Sequence, residues 1–331
     1  MKILLVDLQY DYGDAKRGVN TIGEFGFHQS LLALGHSVET FYYDDDLGGS
    51  EALQARLLRR AEEVRPELIV FCLFRDQFKR ETLLKLRDIA PTLNWFGDDT
   101  WRFESFSAKY ADVFTHIVTT DKFSVSAYRT LGAKSVITSQ WAAIDRHEKP
   151  RFAGEYQFDV SFVGQFHPYR AWVTGELAKR GLKVACFGHG WPGGSLSSEK
   201  MNSLFRHSRI NLNIGNSTSL DLGYLTSHWK AIPLALKSRK TRSQIKARNF
   251  EIPFFGGFQL TDYVPGIEDY FDIGRELVCY RDIDDAELQI RYFLENESAR
   301  EAIRLAGEKR ASNEGYTERW RKILNQVGSS N

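Results

Sequence analysis

The sequence predicts two doubly wound α/β domains in tandem, followed by a helical tail. Three observations carry that reading. Short apolar runs of strand length alternate with amphipathic helical segments through residues 1–148, the pattern of parallel strands joined by right-handed crossovers. A polar stretch around AIDRHEKPRFAGEYQF, with Pro150 and Gly154, shows neither strand nor helix period and reads as a linker. The alternation then restarts over residues 155–312, and 313–331 reads as one more helix, packing back towards the first domain. At 331 residues the chain is also longer than a single core usually serves.

The elements follow in order. KILLVDL is a short apolar run, the mark of a strand buried on both faces. After a loop from Asp11 to Gly23, GEFGFHQSLLALGH sets Phe25, Leu31, Leu32 and Leu34 at helical spacing and closes on Gly35. SVETFYY, ELIVFCLF, TLNWFG, THIVTT and KSVITSQW read as further strands, with helices at EALQARLLRRAEEV, ETLLKLRDIA and FSVSAYRTLG. In the second domain DVSFVG, LKVACFG, RINLNIG, GFQLT and ELVCY read as strands. YRAWVTGELAKRG, SSEKMNSLFRHS and DAELQIRYFLE read as helices, and the stretch after RINLNIG reads as polar connection. ESAREAIRLAGEKR and YTERWRKILNQV close the chain as a helical pair.

Composition removes several function classes. The formal charge is +1, from 44 basic and 43 acidic side chains, without the basic excess of a general nucleic-acid binder. Cys72, Cys186 and Cys279 each lie in an apolar strand-like run, an odd count without metal-ligand spacing, which predicts buried reduced thiols. The apolar stretch of MKILLVDLQY is too short for a signal peptide, and no later run reaches membrane-spanning length. These features predict a cytoplasmic protein without an integral membrane segment, peripheral at most to the inner face of a membrane.

Cofactor signals are weak. Gly13, Gly18, Gly23 and Gly26 do not space as G-x-G-x-x-G, so Asp44, Asp45 and Asp46 after the second strand read as a solvated loop rather than a ribose site. There is no P-loop. Asp282-Ile283-Asp284 has the D-x-D form that carries manganese in one class of sugar transferases, but it directly precedes a helix, where aspartates cap backbone N–H groups. The histidines show no paired zinc spacing, and Ser195 has no nucleophile-elbow context. No cofactor and no metal are expected.

The richest stretch is KARNFEIPFFGGFQLTDY. Between Lys230 and Arg248 there is no acidic residue, yet Lys237, Arg239, Lys240, Arg242, Lys246 and Arg248 all occur. Such a run can be a solvated face. Here it leads directly to Glu251 and a strand. Cations near a helix N-terminus suit a diphosphate, and a carboxylate accepts hydrogen bonds from vicinal ribose hydroxyls.

The segment from Lys246 to Ile303 resembles the C-terminal half of the spore-maturation (CgeB-type) glycosyltransferase-like family. It carries that family's R-x-F-E, glycine pair, L-T-D-Y, G-x-E-x-x-F and a helix with Y-F-L. NWFGDDTWRF, VTTDKFSVSAYRTLG and SQWA are similar to the family's first domain. The resemblance implies a GT-B fold, two Rossmann-like domains facing a cleft, with a nucleotide-diphosphate sugar as donor, held mainly by the second domain, and a hydroxyl acceptor at the first. A nucleotide-sugar epimerase and a non-catalytic nucleotide-sugar-binding partner are the alternatives, and a protein or nucleic-acid acceptor stays open.

Residue by residue, Glu251 matches the glutamate that contacts the donor ribose in retaining enzymes of this fold. Their second glutamate, eight positions earlier, is Ser243 here, which leaves the stereochemistry open. Lys246 and Arg248 are expected at the diphosphate. Gly164, after the first strand of the second domain, matches a phosphate-approach turn or is a tight turn only. Arg170 lies nearby or begins a helix; Asn211 and Asn213 meet the donor or end a strand. On the acceptor side Asp98 and Asp99 follow TLNWF, as a general base or as caps of the next segment. Glu24 and His28 beside the first loop are further acceptor-side candidates.

Overall fold

Residues 3–6, Ile-Leu-Leu-Val, are buried, so the first strand is an interior one. In this computed structural model residues 1–215, 221–227, 229, 231–237, 240 and 242–329 are described; Lys230 and Arg239 of the basic run lie outside them. The chain forms two units, Met1–Arg146 with Tyr316–Asn331, and His147–Gly315.

In the first unit β1 (Lys2–Asp7), β2 (Ser37–Tyr42), β3 (Leu68–Phe71), β4 (Thr92–Phe96), β5 (His116–Thr119) and β6 (Val136–Thr138) make one sheet. Its order is β2-β1-β3-β4-β5-β6 and every pairing is parallel. The helices are α1 (Gln29–Ala33), α2 (Glu51–Val64), α3 (Arg80–Ile89), α4 (Asp99–Arg102) and α5 (Val125–Thr130). α2 shows the local logic. Ser50 accepts from the Leu53 N–H at 3.2 Å, capping the start, and Leu53, Leu57, Ala61 and Val64 bury one stripe.

The element after the first loop differs from its sequence reading. GEFGFHQSLLALGH is not a single α-helix: Ile22–His28 is a π-helix that runs into α1. The wider turn sets Gly23 against the Asp7 carboxylate and Gly26 against the Tyr316 ring, where any Cβ would collide. Such turns often mark functional positions.

The second unit has β7 (Phe158–Val163), β8 (Val184–Phe187), β9 (Ser208–Asn213), β10 (Gln259–Asp262) and β11 (Val278–Tyr280), again all parallel, in the order β11-β10-β9-β7-β8. Its helices are α6 (Pro168–Lys179), α7 (Ser198–Arg206), α8 (Leu222–Ser227), α9 (Ala231–Lys237), α10 (Arg248–Phe254), α11 (Ile283–Glu295) and α12 (Glu297–Ala311). The connection that reads as polar therefore holds two helices, α8 and α9. Val160, Phe162, Ile210, Leu212, Phe258 and Leu260 centre the core. The three cysteines are unpaired and partly rather than fully buried; burial pushes the Cys186 thiol up to about 11 and that of Cys279 to about 12, so both stay protonated at neutral pH. Among the described residues, no helix is long and apolar enough to cross a membrane.

The last helix, α13 (Tyr316–Ser329), belongs to the first unit. The Tyr316 N–H donates to the Ala143 carbonyl at 3.1 Å, and Phe27 stacks edge-on to Tyr316 and Trp320 with centroids 5.8 and 5.1 Å away. Trp320 is 1% exposed, so Trp320→Ala empties a large buried volume. The variant is expected to lose roughly 3–5 kcal/mol of stability, read by urea unfolding. A loss below 1 kcal/mol would mean that α13 adds little to that core.

Candidate functional site

In each sheet the first strand lies between neighbours whose connections leave on opposite faces. The crevice outside the carboxyl ends at such a point is where open α/β sheets take ligands. In the second unit it lies between β7 and β9, and Arg170, in the first turn of α6, spans it. Its guanidinium donates to the Gln165 carbonyl after β7 at 2.9 Å and to those of Ile214 and Gly215 after β9 at 3.2 and 3.4 Å. Burial lowers its pKa, and the Asp262 carboxylate partly offsets this. Asp262 at the end of β10 also accepts from the Gly215 N–H at 2.9 Å.

The richest stretch of sequence meets this crevice. α10 begins at Arg248, whose Nε donates to the Val163 carbonyl, the last of β7, at 3.4 Å. Its Nη1 pairs with the Glu251 carboxylate, three residues on and 9% exposed. Lys246 precedes the helix, its Nζ donating to Gln244 at 2.8 Å and its backbone N–H to Asn249 Oδ1 at 2.9 Å. The structure thus brings Arg170, Arg248 and Glu251 to one strand end, with Lys246 two residues before Arg248.

Other predicted residues have different work. The Gly164 N–H donates to the Phe187 carbonyl at 2.9 Å, so this glycine offers a ligand no hydrogen. It supplies room instead: a Cβ would meet the Phe162 ring at 2.8 Å. Gly188 after β8, at φ +124°, faces Gly164 so closely that a Cβ would strike its carbonyl. Asn211 spends both amide hydrogens on the Phe205 and Phe258 carbonyls, at 2.9 and 3.1 Å, and its oxygen accepts from Ser161 at 3.2 Å. Asn213 donates to Thr261 Oγ1 at 3.2 Å. These amides tie β9 to its neighbours. Asp282 caps α11, accepting from the Asp285 N–H at 2.9 Å, and Asp284 pairs with Arg180 at 2.6 Å. Among the described residues, no group of three or more His, Cys, Asp or Glu is placed to hold a metal ion.

In the first unit the predicted carboxylates stand at the end of β4 and in the π-helix after β1. Asp98 follows β4 and is half-buried, at the N-cap of α4 without a side-chain capping bond. Asp99 is 2% exposed and accepts from Thr119 Oγ1 at 2.6 Å and Tyr128 OH at 2.8 Å. Burial raises its pKa to about 6 against the pull of these hydroxyls. Glu24 and His28 pair at 3.3 Å across one turn, and Gln29 donates to Glu24 at 2.8 Å.

Asp7 is the residue that the sequence reading passed over. It ends β1, is 3% exposed, accepts from the Leu8 N–H at 2.7 Å, and its Oδ2 has no hydrogen-bond partner. Burial, with the Asp44 charge, raises its pKa from 3.8 to about 7 against that bond. The only sequence signal was an aspartate closing an apolar strand.

Comparison with known proteins agrees with this architecture. Residues 170–325 match the family described as Glycosyl transferase-like. No curated protein matches the sequence. Among solved structures, the chain is similar to HepE of Anabaena in complex with UDP, at 13% identity over 99% of this chain and 100% of that one, TM-score 0.65. It is also similar to sucrose-phosphate synthase of Thermosynechococcus elongatus, at 11% identity over 100% of both chains, TM-score 0.61. AviGT4, a glycosyltransferase involved in avilamycin A biosynthesis, aligns at 12% identity over 98% and 96%, TM-score 0.57. At such identities the likeness establishes the fold, which is GT-B.

The Asp7 site predicts a pH dependence. A carboxyl whose pKa is raised on folding holds its proton more tightly in the folded state. Stability therefore falls as pH rises from 3.8 to about 7 and levels off above, a penalty on the order of several kcal/mol. Asp7→Asn removes it. The difference in melting temperature, variant minus wild type, should move in the variant's favour across that window. A difference constant with pH would mean that Asp7 is not held protonated.

Proposed function

We propose that this chain is a glycosyltransferase of the CgeB-type branch, moving a sugar from a nucleoside-diphosphate donor to a hydroxyl acceptor in surface-polysaccharide or other glycan assembly. The Arg248–Glu251 pair at the β7 end carries the reading, inside the segment that matches the glycosyl transferase-like family. Glu251 is an acceptor for two ribose hydroxyls, and Arg248 and Lys246 are cations for the adjacent diphosphate. Arg170 holds the floor on which they stand.

In the reaction the acceptor oxygen bonds to the anomeric carbon as the bond to the diphosphate oxygen breaks. Negative charge grows on the leaving diphosphate, where Arg248 and Lys246 stabilise it in place of a metal ion. The D-x-D aspartates are engaged in capping and in an ion pair, which supports that assignment. The acceptor proton goes to a carboxylate of the first unit. Asp98 is our choice because Asp99 is buried and bonded by Thr119 and Tyr128, a positioning role.

HepE is described in complex with UDP, so UDP is the first nucleotide to titrate. Glu251→Gln keeps the side chain's size and is expected to weaken UDP binding by roughly 1–3 kcal/mol, read by calorimetry on the folded variant. Unchanged affinity removes Glu251 from the donor site. Turnover should survive a chelator and fall in Arg248→Ala. UDP release from a UDP-sugar should require a hydroxyl acceptor, whereas an epimerase would change the sugar without releasing UDP.

A further inference from the structure

Two helices of the second unit carry their apolar side chains outward. α8 turns Tyr224 inward, 2% exposed, against Tyr169 and Trp172 of α6 with centroids 5.2 and 5.8 Å away, and leaves Leu222 77% exposed. α9 buries only its first residue, Ala231, while Ile232, Leu234 and Leu236 face solvent. Trp229 between the helices is as exposed as Leu222. A surface helix of a water-soluble domain normally does the reverse, and an apolar patch of this kind marks an interaction site.

After Asp221, which caps the start of α8, the charge along this stretch of sequence has one sign. From Leu222 to Phe250 the sequence has no aspartate or glutamate and seven lysines and arginines. Of these Lys237, Lys240 and Arg242 are exposed. Outward aliphatic side chains, an exposed tryptophan and several exposed cations in the same segment match the chemistry of a membrane interface with anionic headgroups. A second copy of the chain fits less well, because a two-fold contact would set this cationic segment against itself.

We propose that α8 and α9 form a membrane-docking surface. Leu222, Trp229, Ile232, Leu234 and Leu236 enter the headgroup–acyl boundary, and Lys237, Lys240 and Arg242 meet lipid phosphates. The surface adjoins the crevice: Tyr224 of α8 packs on Tyr169, the residue before Arg170 in α6. Docking would bring the crevice to a lipid-borne acceptor. Membrane binding itself does not rest on the sugar-transfer reading, because it is read without any transfer.

The test is co-sedimentation of the full chain with vesicles of phosphatidylcholine, with and without phosphatidylglycerol. Wild type should bind the anionic vesicles, less so at high salt, and bind pure phosphatidylcholine weakly. The pair Leu234→Glu with Leu236→Glu should lower the anionic-vesicle affinity by roughly tenfold or more. The pair Lys237→Gln with Lys240→Gln should lower it by about fivefold per cation. These side chains are exposed, so melting curves and UDP titration should match wild type. Failure of wild type to sediment with anionic vesicles, or equal binding by both variants, overturns the proposal. So does a lipid-free dimer, seen by analytical ultracentrifugation, that the leucine pair dissociates, since a second copy would then be the occupant.

Discussion

The crevice of the second unit depends on one half-buried guanidinium. Where β7 and β9 part at their carboxyl ends, backbone carbonyls lose their ladder partners, and buried carbonyls left unpaired are costly. Arg170 meets those of Gln165, Ile214 and Gly215. It thereby holds both edges of the crevice at one width and aligns the loop from which α6 springs. The desolvation of this cation is offset by Asp262, which also fixes Gly215. With Arg170 occupied by backbone, Arg248 becomes the cation that faces the strand end with its own carboxylate partner, Glu251. A lysine would not serve in place of Arg170, because an ammonium lacks the planar fork that reaches three carbonyls.

The strand ends of the two units differ in their electrostatics. Beyond β7 stand arginines, each balanced by one carboxylate. At the carboxyl ends of β1 and β4 stand aspartates, two of them buried enough to lift their pKa to about 7 and about 6. A cationic crevice suits an anionic donor and its departing diphosphate. Carboxylates with raised affinity for protons, as Asp7 and Asp99 are, suit the handling of a hydroxyl. The shared fold sets the position, and the side chains at the strand ends set the chemistry.

What the sequence determined alone is what local rules decide. Buried parallel strands are apolar runs whatever their neighbours, so both sheets were legible. Asp282 was legible as a cap because an N-cap needs only the three residues that follow it. Lys246, Arg248 and Glu251 were legible as a group because one helix start displays them together. Tertiary structure alone decided matters that depend on distant partners. Whether an asparagine meets a ligand or a carbonyl turned, for Asn211, on Phe205 and on Phe258, 47 residues away. That the Gly164 N–H is engaged turned on Phe187 of the neighbouring strand. Asp7 looked like the end of a strand until Gly23 of the π-helix closed over it. The outward faces of α8 and α9 were invisible because the pattern of apolar residues shows that a helix has a face, and only packing shows which way the face points.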